Sequence, residues 1–253
     1  TRYWRDWSSD VCSSDLLFIV YYFISSFDAA LFERYGWRML RGLGVTLQLV
    51  AISLMIGGLL AFPIALARLS KSWLLNAPAY AYVYFFRGTP LLAQTFLVYY
   101  GAGQFNQELQ AAGVWWFFRE AYYCAVLTFA LNTAAYQAEI LQGAISSVPR
   151  GQKEAAQSLG LKPIVTFFKV TLPQAFIVAL RPYGNEVILM IKGSAIASVI
   201  TVFDLMGETR LAFARSFDFQ VYLWAAILYL AMVEIIRRLW DVLEKKLTRH
   251  LVR

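Results

Sequence analysis

Residues 42–67 run between Arg41 and Arg68 without one charged side chain. A helix crosses the hydrocarbon core of a bilayer in about 20 predominantly apolar residues, so this stretch reads as a transmembrane helix. Composition removes the alternative of an unusually apolar soluble core. Of the 253 residues, 59% fall in the class AVILMFWYC and 15% are charged, where a soluble domain carries about 25% charge. That is too little charge to cover a soluble surface. An ordinary cytosolic enzyme, a disordered chain and a disulfide scaffold are excluded, and the surplus apolar surface must face membrane lipid.

Four further stretches read as spans, each with a polar interruption. Residues 79–100 contain Arg87, 121–144 contain Glu139 near their end, 187–203 contain Lys192, and 221–236 contain Glu234. Ionisable residues inside a span are costly and face a bundle interior or a pathway. The expectation is an all-α membrane protein of about five transmembrane helices. Residues 16–27 make only half a span, which lies at the interface or belongs to a truncated helix.

The formal charge is +7, with one histidine, His250, and two cysteines, Cys12 and Cys124, at no metal or redox spacing. Lys and Arg form no aromatic-interleaved patch of the kind that binds nucleic acid. They sit between apolar runs and so report orientation. The connection 68–78, the loop 145–184 and the C-terminal tail hold thirteen of them. The opposite set holds six: Arg34, Arg38, Arg41, Arg119, Arg210 and Arg215. The excess places the C-terminus and the 145–184 loop in the cytoplasm and the N-terminus outside.

Residues 1–16 follow neither a helical period nor a signal-peptide layout. The run Arg5-Asp6-Trp7-Ser8-Ser9-Asp10-Val11-Cys12-Ser13-Ser14-Asp15-Leu16 resembles the translation of a sequencing-adapter oligonucleotide fused to a truncated gene. This segment is expected to be non-native and is set aside from fold reasoning. Without it the positive balance rises by one, since two arginines leave against three aspartates.

The loop from Ser147 to Pro173 carries the most informative pattern. Residues 152–159 suit a short helix with a small apolar face of Ala155, Ala156 and Leu159, stopped by Gly160. A second short helix, 164–170, follows Pro163 and is expected to end before Pro173. Such a helix either docks into a groove of another protein or merely connects two spans. The spacing Glu154-Ala155-Ala156, then Gly160, then Leu172-Pro173 resembles the EAA loop of ATP-binding-cassette importer permeases, with Val170 where that pattern has Ile. The resemblance implies a type I importer permease-like bundle in a bacterial inner (plasma) membrane. In it, Glu154, Ala155, Ala156, Gly160, Leu172 and Pro173 couple to a cytoplasmic ATPase.

Three more segments are similar to permeases for polar amino acids of the histidine, lysine, arginine and opine type. They are residues 84–94, 129–140 and 183–190. The likeness runs from about residue 42 to the C-terminus. It implies a periplasmic amino-acid-binding protein and a second permease subunit as partners. It also implies no cofactor bound by this chain, ATP and Mg being used by the ATPase. The chain has no G-x-x-x-x-G-K-[ST] phosphate loop and is read as non-catalytic. Its organisation is a non-native 1–16, an N-terminal periplasmic or interfacial segment at 17–41, a permease domain at 42–240 with the coupling loop at 145–184, and a basic tail at 241–253.

Seven polar residues are candidates for a substrate pathway: Arg87, Thr89, Asn132, Tyr136, Glu139, Asn185 and Glu186. Thr89-Pro90 reads as an N-cap with proline at the first helical position. Beside it, Arg87 either attracts a carboxylate in the membrane or anchors to headgroups at an elbow. Asn132 and Glu139, seven apart, share a helical face with Tyr136 near it. Glu139 either meets a cationic side chain or pairs with a loop base. Asn185 and Glu186 lie near the cytoplasmic mouth, where they would contribute to gating. Lys192 sits among small residues where helices approach closely. Tyr99, Tyr100, Trp115, Trp116, Tyr122 and Tyr123 read as interface belts. The competing function is an ion-coupled secondary transporter working through Glu139, Lys192 and Glu234. Such folds carry inverted repeats, which this sequence does not show. No nucleophile–base or metal constellation supports a membrane enzyme.

Overall fold

Asp28 caps the first helix, its Oδ1 accepting hydrogen bonds from the N–H groups of Ala30 (2.9 Å) and Leu31 (3.2 Å). The computed structural model describes residues 28–249, which are helical with no strand among them. The expected non-native segment, the half-span at 16–27 and His250 lie outside the described residues.

The helices are α1 (Ala29–Leu69), α2 (Trp73–Gly88), α3 (Leu91–Gln104), α4 (Asn106–Ala111), α5 (Trp115–Phe118), α6 (Ala121–Ser147), α7 (Arg150–Ser158) and α8 (Pro163–Thr166). A π segment, Phe167–Thr171, leads into α9 (Leu172–Gly193), and a 3₁₀ segment, Ser194–Ile200, extends it. Then come α10 (Leu205–Ser216) and α11 (Gln220–Thr248). Three stretches among the described residues are long and apolar enough to cross a membrane: Ala29–Leu69, Pro163–Ile200 and Gln220–Thr248.

Several expected boundaries move. The break drawn at residue 42 falls inside α1, because Arg34, Arg38 and Arg41 lie on a continuous helix. The stretch 79–100 is two helices, not one, because Pro90 has no N–H to continue the ladder. The helix expected to stop before Pro173 does not stop. Pro173 sits in the first turn of α9, where a missing N–H costs little, and the π segment takes up the register change. The span expected from residue 187 therefore begins upstream. The twelve residues of α10, read as loop, form a helix between α1 and α11.

The hub is α6. It packs against α1, α2, α3 and α9. Ala125, Ala130, Ala134, Ala135 and Ala138 are essentially inaccessible, so neighbouring backbones approach closely, as small residues allow in membrane bundles. Gly57 of α1 makes the closest approach. A Cβ there would collide with Thr133 Cγ2 and lie 3.1 Å from the carbonyl oxygen of Ala130. A helix buried on this many sides meets little lipid, which is why α6 tolerates Asn132, Thr133 and Gln137 in its middle.

The start of α10 is fastened to α1. Thr46 Oγ1 accepts from the N–H of Leu205 (3.0 Å) and donates to the Gly42 carbonyl (3.2 Å). Asp204 caps α10 by accepting from Gly207 N–H (2.8 Å). A Cβ at Gly42 would stand 2.8 Å from the Asp204 carbonyl oxygen, so only glycine allows this contact. Burial pushes the Asp204 carboxyl up to about 6, with the Gly207 N–H opposing the shift.

Two outcomes follow for stability. Gly57→Leu is expected to cost about 1–3 kcal/mol by overpacking, read as a lowered unfolding midpoint. Gly44→Leu, where a Cβ meets nothing within 4 Å, should leave the midpoint unchanged. A carboxyl whose folded pKa is raised contributes stability below its ordinary value of 3.8, and this is lost as pH climbs through about 6. Asp204→Asn keeps an acceptor for the cap, so its melting temperature should fall less than the wild type's between pH 4 and pH 7.

Candidate functional site

Proline at position 90 leaves the Phe86 carbonyl, four residues earlier, without its helical donor. Inside a membrane bundle that oxygen must find another. Two side chains supply it: Gln94 Nε2 at 2.9 Å and Asn132 Nδ2 at 3.0 Å. Gln94 Nε2 also donates to the Thr89 carbonyl (3.1 Å) and Thr89 Oγ1 (2.7 Å), while Gln94 Oε1 accepts from Asn132 (3.0 Å). The break between α2 and α3 is thus sealed by one buried amide pair.

Below the break lies a cavity of about 460 Å³, whose walls include Arg87, Thr89, Asn132, Tyr136, Glu186 and Met190. Five of the seven candidate pathway residues therefore meet in one space. Glu139 borders an adjoining cavity of about 360 Å³, which shares Arg87 and Tyr136 with the first. Asn185 does not join them. It faces a groove toward α11 with Arg181 and Trp240, because consecutive helical residues project about 100° apart and only Glu186 can face inward.

The roles of the grouped residues differ from the expectations in detail. Thr89 is not an N-cap. Its hydroxyl donates back to the Phe85 carbonyl (2.8 Å), and Pro90 takes the cap position without a side-chain bond. Both N–H donors of Asn132 are spent on the brace. Tyr136 lies under Arg87, whose guanidinium carbon stands 5.3 Å from the ring centroid, within cation–π range.

Charge is concentrated at two points. Glu139 bridges Arg68 Nη1 (2.9 Å) and Arg87 Nη1 (3.2 Å), tying α6 to the ends of α1 and α2. Glu186, 5% exposed, accepts from Thr133 Oγ1 (2.8 Å), which itself accepts from Gln137 Nε2 (3.1 Å). Arg87 and Glu186 line the same cavity. The cavity thus holds a guanidinium paired to one carboxylate and lying over an aromatic face, with a second carboxylate in its wall. Such a space suits a small molecule carrying both signs of charge. Among the described residues no three His, Cys, Asp or Glu side chains gather as metal ligands would.

The second group of expected residues lies on α7 and beyond. Glu154 and Ala155 are exposed and Ala156 is buried. The apolar face is therefore split: Ala156 turns inward and holds α7, while Ala155 and Leu159 turn out. Leu159 is 80% exposed. Gly160 ends the helix at φ +74°, its N–H donating to the Gln157 carbonyl (2.8 Å) and the N–H of Leu161 to that of Ala156 (3.1 Å). This is a Schellman closure, which favours glycine. Leu172 is half-buried and Pro173 exposed at the start of α9.

Sequence reading missed Gln94 as a site residue, although it closes the segment 84–94. The available signal was Pro90 itself, which guarantees an orphaned carbonyl four residues upstream. Gln94→Leu is expected to cost about 1–3 kcal/mol by leaving that carbonyl short of donors. Adding Pro90→Ala, which restores an N–H, should recover part of the loss in an equilibrium unfolding series.

The family model described as "Binding-protein-dependent transport system inner membrane component" matches residues 53–249. Over 215 residues the chain is 41% identical to the nopaline transport system permease protein NocM of Agrobacterium fabrum, covering 85% of this chain and 89% of that one. It is 38% identical over 218 residues to the arginine ABC transporter permease protein ArtM of Haemophilus influenzae, covering 85% and 95%. A solved structure described as an amino acid ABC transporter with histidines matches with a TM-score of 0.77 and 33% identity, over 87% of this chain and 99% of that chain.

Proposed function

Since the chain belongs to the family of binding-protein-dependent transport system inner membrane components, we propose that it forms the translocation path of an ATP-driven importer for polar, basic amino acids. The observation that carries this reading is the cavity beneath the Pro90 break. There Arg87 offers a guanidinium to an α-carboxylate, Glu186 offers a carboxylate to an ammonium or cationic side chain, and Tyr136 forms an aromatic wall. The nopaline and arginine permeases among its relatives support the same substrate class.

The driving force enters through α7. Ala155 and Leu159 face outward on a nine-residue helix that packs on α8 and the π segment. A cytoplasmic ATPase subunit gripping this face, with Glu154 at its edge, would push on the continuous stretch Pro163–Ile200. Glu186 rides on that stretch, so ATPase closure moves one wall of the cavity. Gly160 sets the sharp exit from α7, and Leu172 and Pro173 begin the lever. ATP and Mg are used by the partner, and this chain binds no cofactor. A second permease subunit completes the path, and a periplasmic binding protein delivers substrate at the outer face. The excess of basic residues puts the C-terminus in the cytoplasm and the N-terminus outside.

Replacing Ala155 by Trp fills the outward face of α7 without touching the cavity. Co-expressed with its ATPase, the variant is expected to lose most co-purifying ATPase, by tenfold or more if about 1.4 kcal/mol of contact is lost, while keeping wild-type helicity. Undiminished co-purification with bulky side chains at both Ala155 and Leu159 would remove α7 as the coupling element.

A further inference from the structure

Tyr80 and Tyr84, one turn apart on α2, stack with ring centroids 6.2 Å apart and planes 14° apart. They form one wall of the cavity of about 360 Å³ that adjoins the larger one. Between them in sequence, Tyr82 Oη donates to the Leu131 carbonyl (2.7 Å) and fastens α2 to α6. Arg68, near the end of α1, lies over Tyr80 with its guanidinium carbon 5.2 Å from the ring centroid. Arg87 lies over Tyr136 in the same manner and borders both cavities. Each guanidinium thus rests on an aromatic face, and Glu139 joins the two.

The charges in this smaller cavity do not cancel. Its walls hold two guanidiniums, Arg68 and Arg87, against the one carboxylate of Glu139. Both arginines meet Glu139 through a single oxygen, Oε2. Among the described residues, nothing is bonded to Glu139 Oε1, and neither guanidinium has an acceptor besides Oε2. A guanidinium carries five N–H donors, so most of theirs are unspent. The Arg68 side chain is only 14% exposed, and an unbalanced charge away from water is costly. A carboxylate entering the cavity would balance it. The space is sufficient, since small-molecule sites begin at about 300 Å³.

We infer, on the reading of the cavity of about 460 Å³ as a substrate site, that the smaller cavity is a second station for the same amino acid. The unspent donors of Arg68 hold the α-carboxylate, Glu139 Oε1 accepts from the α-ammonium group, and a cationic side chain lies against Tyr84. Arg87 and Tyr136 belong to both stations. A substrate leaving Glu186 therefore meets Glu139 while the same guanidinium and ring stay beside it. Glu139 lies seven residues, about 10 Å of helical rise, beyond Asn132 toward the end of α6 that leads to α7. The second station is thus nearer the coupling helix, and is the inner of the two in the orientation set by the basic residues.

The test uses the full chain assembled with its ATPase in nanodiscs, without ATP, and a lysine carrying a photoreactive diazirine on its side chain. After irradiation, peptide mass spectrometry maps the adducts. Wild type should show two sets, one on residues 80–84 and Glu139 and the other on residues 186–190, both removed by excess arginine. Arg68→Gln should reduce the first set about tenfold, as the loss of one charged hydrogen bond would, and leave the second. Glu186→Gln should do the reverse. Adducts confined to residues 186–190 would overturn the second station and leave the first cavity as a substrate site, whereas adducts at neither place would contradict both. Labelling of residues 80–84 that persists in excess arginine would mean trapping by the tyrosines alone and would also overturn the station. If Arg68→Gln does not assemble, Tyr84→Leu, at a position 71% exposed, replaces it, with the loss read on Glu139; unchanged labelling of Glu139 would contradict the station.

Discussion

The carbonyl of Phe86 has no helical donor, and the way it is satisfied shapes the site. In water such an oxygen would be solvated; within a membrane bundle it must be paired by protein. Gln94 and Asn132 both reach it, and in doing so they lock the start of α3 to the middle of α6. The chain can then stop one helix and start another without leaving that carbonyl unpaired. The cavity opens at that interruption, and Arg87, the next-to-last residue of α2, is delivered to its rim.

The rest of the bundle ties this arrangement down on one side and joins it to α7 on the other. Gly57 and the alanine face of α6 hold α1 and α6 together at a distance larger side chains would not permit. Glu139 then ties that pair to α2 through Arg68 and Arg87. By contrast, the wall bearing Glu186 belongs to a helix that runs back through the π segment toward α7. π segments inside longer helices often occur at functional sites, and this one lies between α7 and the helix that bears Glu186. One short helix on the surface and one carboxylate in the bundle are thus joined through a single stretch of helix.

Much of this was legible in the residues, and the misses have physical causes. The charge-free run 42–67 announced a membrane helix, and Gly160 announced the end of α7, because each depends on local chemistry alone. Thr89-Pro90 announced a helix start, although 79–100 read as one span. What Pro90 required of Gln94 was not legible, since that depends on α6 arriving alongside. Thr89 looked like a cap by residue type, but its hydroxyl found the Phe85 carbonyl within its own helix. Asn185 and Glu186 looked equivalent as neighbours until helix packing assigned them to opposite faces. The stop expected before Pro173 failed because proline is harmless in a first turn. The short helix α10 was hidden because its anchor, Thr46 on the N–H of Leu205, joins residues 159 positions apart.

The proposal that this chain serves an ATP-driven importer is tested most directly by uptake into proteoliposomes holding it with its ATPase and binding protein. An ATP-driven importer should accumulate labelled arginine only when ATP is present on the ATPase side, and ionophores that collapse proton and sodium gradients should leave that uptake unchanged. Arginine uptake that proceeds without ATP and disappears with the ion gradients would contradict it, and would make Glu139, Lys192 and Glu234 parts of an ion-coupled carrier.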